Sequence, residues 1–152
     1  MRVTECYVDT SVLLKLYVTE PFSDEAQNYL SSIDRPAISN LTILEWHCAM
    51  ARRLRAGDFS EAYLAMARQE FMRHVSEGYF RLQPVSDTLL TQALWLLDAV
   101  KPTPLRTLDA LHLTAARAIG ARGIATADKI MCQAAERLGM TVECFFAQPQ
   151  LS

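Results

Sequence analysis

Short apolar runs along this chain alternate with longer stretches in which apolar residues recur every three or four positions, a pattern that predicts strands interleaved with helices. The first run, Cys6-Tyr7-Val8, is β-prone and stops at Asp9-Thr10-Ser11, after which Val12, Leu13, Leu14 and Leu16 continue as a compact apolar helix. Glu20-Pro21 breaks the chain, and 23–33 reads as a helix with Ala26, Tyr29, Leu30 and Ile33 on its inner side. Residues 36–39 suffice only for a short buried strand. A longer helix over 41–55 carries Ile43, His47, Met50 and Leu54 on one face and ends at Gly57-Asp58. Ser60 caps the next, which runs to about 77 with Tyr63, Met66, Ala67, Phe71 and Val75 in a stripe, so 41–77 forms a helical hairpin.

The second half keeps the same alternation. Residues 80–85 read as a strand, and 87–100 as a helix with Leu89, Ala93, Leu96, Leu97 and Val100 turned inward. Lys101-Pro102-Thr103-Pro104 interrupts regular structure. A helix over 107–119, opened by Thr107 and closed by Gly120, is apolar at Leu108, Leu111, Ala115 and Ile119. A strand over 123–126, a helix over 128–138 closed by Gly139 and a last strand over 141–146 complete the chain. Repeated βα units predict an α/β fold, a three-layer α/β/α sandwich around a small, mainly parallel central sheet, with 1–152 as a single domain.

Composition narrows the function classes. A net charge of −2 and an isoelectric point near 5.9 exclude the globally basic signature of many nucleic-acid binders, so any such site is a local patch. Cys6, Cys48, Cys132 and Cys144 never fall at C-x-x-C spacing, which removes zinc-ribbon and thioredoxin-like readings and leaves buried, reduced thiols as the expectation. No apolar run approaches the ~18 residues of a membrane span, and a cytoplasmic protein without a membrane partner is expected.

Four acids stand where a parallel sheet gathers ligands. Asp9 and Asp128 follow strands directly, Glu45 lies early in the helix after the 36–39 strand, and Asp109 lies in the first turn of the helix that precedes the 123–126 strand. Each has an ordinary explanation: Asp9 and Asp128 as N-caps, Glu45 in a T-x-x-E capping box with Thr42, Asp109 as a favourable charge at a helix start. Together they require more, because four carboxylates in one cleft repel one another unless a cation intervenes. An all-oxygen ligand set favours Mg2+ or Mn2+ over zinc.

The segments YVDTSVLLKLYVTEP, LTILEWHCAMARRL, LRTLDALHLTAARAIGARGIATAD and KIMCQAAERLGMTV resemble the PIN-domain ribonucleases, specifically the VapC-type toxins of VapBC toxin–antitoxin systems. The resemblance covers nearly the whole chain and is most specific at D-x-S (Asp9, Ser11), at D-A-L-H-L-x-x-A (Asp109 to Ala116) and at T-A-D (Thr126 to Asp128). It implies a metal-dependent endoribonuclease in which Asp9, Glu45, Asp109 and Asp128 hold the metal and activate water, supported by the hydroxyls of Ser11 and Thr126. It also implies a cognate antitoxin as partner, and the 41–77 hairpin offers a groove for the antitoxin or for a homodimer. Trp46-His47-Cys48 departs from the smaller residues usual after the glutamate.

Other candidates carry less. His112 shares a helix face with Asp109, either as a hydrogen-bonded, semi-buried histidine or as a ligand; His47 and His74 belong to no constellation. Lys15 reads as a phosphate contact or a solvated lysine, and Arg52, Arg53, Arg55, Arg68 and Arg73 as an RNA guide, a site for an acidic partner or a solvated face. A phosphoacceptor domain would want paired acids after the first strand, a haloacid-dehalogenase-like phosphatase D-x-D, a dinucleotide binder G-x-G-x-x-G and a P-loop protein G-x-x-x-x-G-K; none is present. The surviving alternatives are a catalytically silent PIN-fold binding module and an RNA-processing nuclease that is not a toxin.

Overall fold

The structure, a computed structural model, describes residues 6–147. Five parallel strands, β1 (Cys6–Val8), β2 (Ala37–Ser39), β3 (Arg81–Gln83), β4 (Gly123–Thr126) and β5 (Thr141–Cys144), form one sheet in the order β3-β2-β1-β4-β5. The helices are α1 (Thr10–Leu13), extended by a 3-10 turn to Leu16, α2 (Ser23–Ser31), α3 (Asn40–Arg55), α4 (Glu61–Ser76), α5 (Asp87–Ala99), α6 (Thr107–Ala118) and α7 (Lys129–Arg137). This is the expected α/β/α sandwich.

Alternation along β1 sorts the helices into two layers. Cys6 and Val8 join Ile38 and Ala125 in a core with residues of α1 to α4, whereas Tyr7 joins Ala37 and Ile124 in a second core with residues of α5, α6 and α7. The chain steps outward from β1 to β2 to β3 and then returns to β4 on the other side of β1. That return makes the β1/β4 boundary a topological switch point, where the connections leaving neighbouring strands part and open a crevice at their carboxyl ends.

Several details differ from the expected pattern, each for a packing reason. The α3 cap is Ser39, whose Oγ accepts from Thr42 N at 3.3 Å while Thr42 Oγ1 accepts from Ser39 N at 3.1 Å. The capping box is therefore Ser39 with Thr42, and Glu45 is released from it. The inner face of α3 is Thr42, Trp46, Ala49 and Met50, because Trp46 fits fully buried against Tyr17 and Phe71, with ring centroids 5.4 and 4.4 Å away. Met66, Leu97 and Leu108, expected inside, are exposed by 58%, 39% and 46%, since neighbours at Leu64, Leu96 and Leu111 occupy the packing positions. Between Ala110 and Ala116 α6 is buried on every side, packed between α5 and the sheet.

The cysteine expectation also fails in part. Cys132 on α7 and Cys144 at the end of β5 form a disulfide, since α7 packs back on β5, and Cys48 is exposed on the outer side of α3; Cys6 alone is buried and outside a disulfide. Among the described residues no helix is long and apolar enough to cross a membrane.

Candidate active site

Asp9 and Asp128 stand at the carboxyl ends of the two strands that flank the switch point. Asp9 N donates to Ala125 O at 2.9 Å, so β1 remains tied to β4 as far as the acid itself. The Asp9 carboxylate caps α1 through Oδ1, which accepts from Thr10 N at 2.8 Å, and takes two hydroxyls on Oδ2, Ser11 at 2.9 Å and Thr126 at 2.8 Å. Both hydroxyls have a second task. Ser11 Oγ accepts from Ala127 N at 3.0 Å and Thr126 Oγ1 from Asp128 N at 3.1 Å, so they carry the position of the β4–α7 turn onto Asp9. Asp128 caps α7 through Oδ1, 2.8 Å from Ile130 N. The capping and clustering readings hold at once for these two acids.

Glu45 arrives from α3. Its Oε1 accepts from Thr10 Oγ1 at 2.9 Å and from His112 Nε2 of α6, and the two donors together fix the carboxylate. Burial pushes the Glu45 carboxyl up, yet the His112 hydrogen bond and charge, helped by Thr10 and Arg52, hold it below the ordinary range. The reciprocal holds for His112: burial lowers it, but Glu45, Asp9 and Asp109 raise it above the usual imidazole value. His112 Nε2 also lies 4.0 Å from Asp9 Oδ1, so one buried imidazole faces both acids. Behind it, Nδ1 is 2.8 Å from the hydroxyl of Tyr7.

Asp109 is the acid that the fold leaves unsatisfied. It sits in the first turn of α6, and its Oδ2 is buried with no hydrogen-bond partner. The nearest cation, Arg106 Nε, is 3.9 Å away on a side chain 83% exposed, a loose contact. Burial, then the charges of Asp128 and Asp9, push the Asp109 carboxyl up to about 6. Asp109 and Glu45 line a cleft of about 540 Å3 with Leu105, Arg106, Thr107 and Leu108.

The four acids thus meet at one edge, electrostatically coupled through Asp109 and His112. Among the described residues no group of three or more His, Cys, Asp or Glu side chains is arranged to hold a metal ion by itself. What the cleft offers is a smaller oxygen set: a buried, unpaired carboxylate oxygen on Asp109 with two further acids raising its charge cost. Such an oxygen set suits a hard divalent cation that keeps several of its waters better than zinc, whose sites are built mainly on histidine and cysteine.

Lys15 is no phosphate contact here: Nζ is spent on Glu20 Oε1 at 3.1 Å and Pro21 O at 2.8 Å, and its side chain is 9% exposed. In the arginine cluster, Arg53 pairs with Glu20 and Arg73 with Glu77. His47 bonds Ile43 O within its own helix, and His74 bonds the Tyr17 hydroxyl away from the acids. Tyr7 and Thr10 were not singled out by the sequence, although a tyrosine in the centre of a fully buried strand must find a partner for its hydroxyl.

A switch-point crevice with acids on both flanking strands and on two further helices is the architecture of the PIN domain, whose defining pattern matches residues 6–137, and the chain belongs to that family. Its relatives are of the VapC type. The chain is 33% identical over 138 residues to Ribonuclease VapC46 of Mycobacterium tuberculosis, covering 90% of this chain and 94% of the relative. The fold is shared with M. tuberculosis VapC20, a toxin that cleaves the sarcin-ricin loop (TM-score 0.67, 19% identity, 86% of this chain and 95% of that one). It is shared also with VapBC2 of Rickettsia felis, solved with a DNA fragment from its promoter (TM-score 0.66, 14% identity, 94% and 98% coverage).

Proposed function

We propose that this protein is a divalent-metal-dependent endoribonuclease acting as the toxin of a type II toxin–antitoxin pair in the cytoplasm, with 1–152 as one functional domain. The observation that carries the reading is Asp109, a half-buried acid whose Oδ2 is buried without a hydrogen-bond partner and whose carboxyl is raised to about 6 by burial, Asp128 and Asp9. A fold that keeps such a group at the β1/β4 switch point is holding a place for positive charge. Ribonuclease VapC46 and the toxin VapC20 support RNA as the substrate.

Asp9 and Asp109 would hold the cation most directly, with Asp128 and Glu45 acting through water, and Mg2+ is the expected ion, with Mn2+ able to replace it. A bound divalent cation supplies Lewis-acid stabilisation of phosphate charge and an acidified water. The chain's own groups do the rest. Ser11 and Thr126 fix Asp9 by two short hydrogen bonds, so that carboxylate cannot swing away when RNA enters. Glu45, kept ionised by His112 and held at Oε1, lines the cleft, where its second oxygen would accept from a water.

Purified protein is expected to cut RNA with Mg2+ and to stop with EDTA. RNA bound but uncut in Mg2+ would favour the silent binding module; no binding and no cutting would end both readings.

The antitoxin is expected to engage the α3–α4 hairpin, where Leu44, Met66 and Met72 are exposed by 62%, 58% and 42%. The hairpin also carries Trp46, Met50 and Phe71 in the core, so the test is a surface change. Met66→Lys should weaken antitoxin capture at least tenfold without changing cleavage; unchanged capture would move the groove elsewhere.

A further inference from the structure

Behind Glu45 runs a chain of buried polar groups, His112, Tyr7, Ser39 and Thr42. Glu45 is a long side chain on the second turn of α3, 24% exposed and outside the helix cap, so by itself it would sample several rotamers. It is stopped from doing so by donors from two different elements, Thr10 of α1 and His112 of α6, which converge on one oxygen. His112 is itself immobilised. It is 1% exposed, and its Nδ1 is held at 2.8 Å by the Tyr7 hydroxyl. Tyr7, fully buried in β1, is anchored in turn by Ser39 Oγ at 2.9 Å and Thr42 Oγ1 at 3.2 Å, the same two residues that cap α3.

We infer that Tyr7 and His112 are positioning residues that hold the Glu45 carboxylate by Oε1 and leave Oε2 to the cleft. This rests on the nuclease reading above for its purpose, and on the hydrogen-bond chain alone for its geometry. A network that only stabilised the core would close on itself among buried partners, as Ser39 and Thr42 do. This one ends instead on a partly exposed carboxylate lining the cleft, so its rigidity is delivered there. The chain joins β1, the start of α3, α1 and α6, the elements that bring Asp9, Glu45 and Asp109 together.

The test has two arms. In the metal-free wild type, NMR of the histidine ring should show a slowly exchanging, downfield Nε2–H proton from His112 that is lost or displaced in Glu45→Ala and perturbed in Tyr7→Phe. In cleavage of RNA with Mg2+, His112→Ala and Glu45→Ala should each lower kcat about 10–100-fold with little change in KM. Their combination should lose no more than the worse single variant. His112→Gln, which can still donate to Glu45, should recover part of the loss, and Tyr7→Phe, which removes one atom without opening a cavity, covers the case in which His112→Ala fails to fold.

A His112 signal indifferent to Glu45→Ala, or losses that multiply in the double variant, would overturn the positioning role. Absence of cleavage in the wild type would overturn the nuclease reading instead, and the NMR arm would still decide the geometry.

Discussion

Two hollows open at opposite edges of this sheet. The larger, about 700 Å3, lies at the amino ends of β2 and β3, among residues that include Pro36, Phe80, Tyr79 and the ends of α2 and α4. Its central polar pair is satisfied, with the Tyr17 hydroxyl 2.7 Å from His74 Nδ1. The smaller, about 540 Å3, lies at the carboxyl edge, where Asp109 keeps a buried oxygen without a partner. Volume alone would direct attention to the amino edge. The proposed function places the chemistry at the unbalanced charge, because a buried, unpaired carboxylate oxygen is costly unless something else completes it.

That contrast breaks most sharply by substitution. Asp9→Asn and Asp109→Asn should each reduce RNA cleavage at least about 100-fold, whereas Tyr17→Phe, which breaks the central pair of the larger hollow, should leave cleavage unchanged and cost about 1 kcal/mol of stability. Cleavage that follows Tyr17→Phe rather than the acids would reverse the assignment of the two hollows.

Metal affinity separates the two hollows by pH. The Asp109 carboxyl at about 6 must be ionised to act as a ligand, so Mn2+ binding measured by calorimetry should weaken about 10-fold between pH 7 and pH 5, as a proton competes for it. In Asp109→Asn this pH dependence should vanish. An unchanged slope in the variant would place the titrating group elsewhere.

Stability gives the smallest effect and an opposite sign at the two aspartates. The folded Asp109 carboxyl lies above the ~4 of an unfolded aspartate, so the penalty for ionising it is absent below pH 4, grows between 4 and 6 and is complete above 6. Asp109→Asn should therefore raise Tm at pH 7.5 by on the order of 3 °C, the partial exposure of the group keeping the gain modest, and should give no gain at pH 4. Asp9→Asn, which weakens three hydrogen bonds to a carboxylate, should lower Tm at pH 7.5.

The layout of the fold was legible because it rests on local signals. Apolar period and turn residues placed five strands and the helices between them, and strand-end position placed Asp9 and Asp128. What stayed hidden was set by packing between distant elements. The capping box moved from Thr42–Glu45 to Ser39–Thr42 because the cap forms where β2 ends, one turn earlier than the T-x-x-E spacing suggested. Trp46 rotated the inner face of α3 by fitting between Tyr17 and Phe71, rings from two other elements. Cys132 and Cys144 meet only once α7 folds back on β5, a contact with no spacing signature. The partnership of Tyr7 with His112 spans 105 positions, and nothing in the order of residues announces it.

A divalent cation is expected to enter the cleft beside Asp109. Crystals soaked in Mn2+ and measured for anomalous scattering at the manganese edge should show a peak coordinated by Asp9 and Asp109 at the β1/β4 switch point. A peak bound elsewhere with that position empty, or no peak at Mn2+ concentrations that support RNA cleavage, would contradict it.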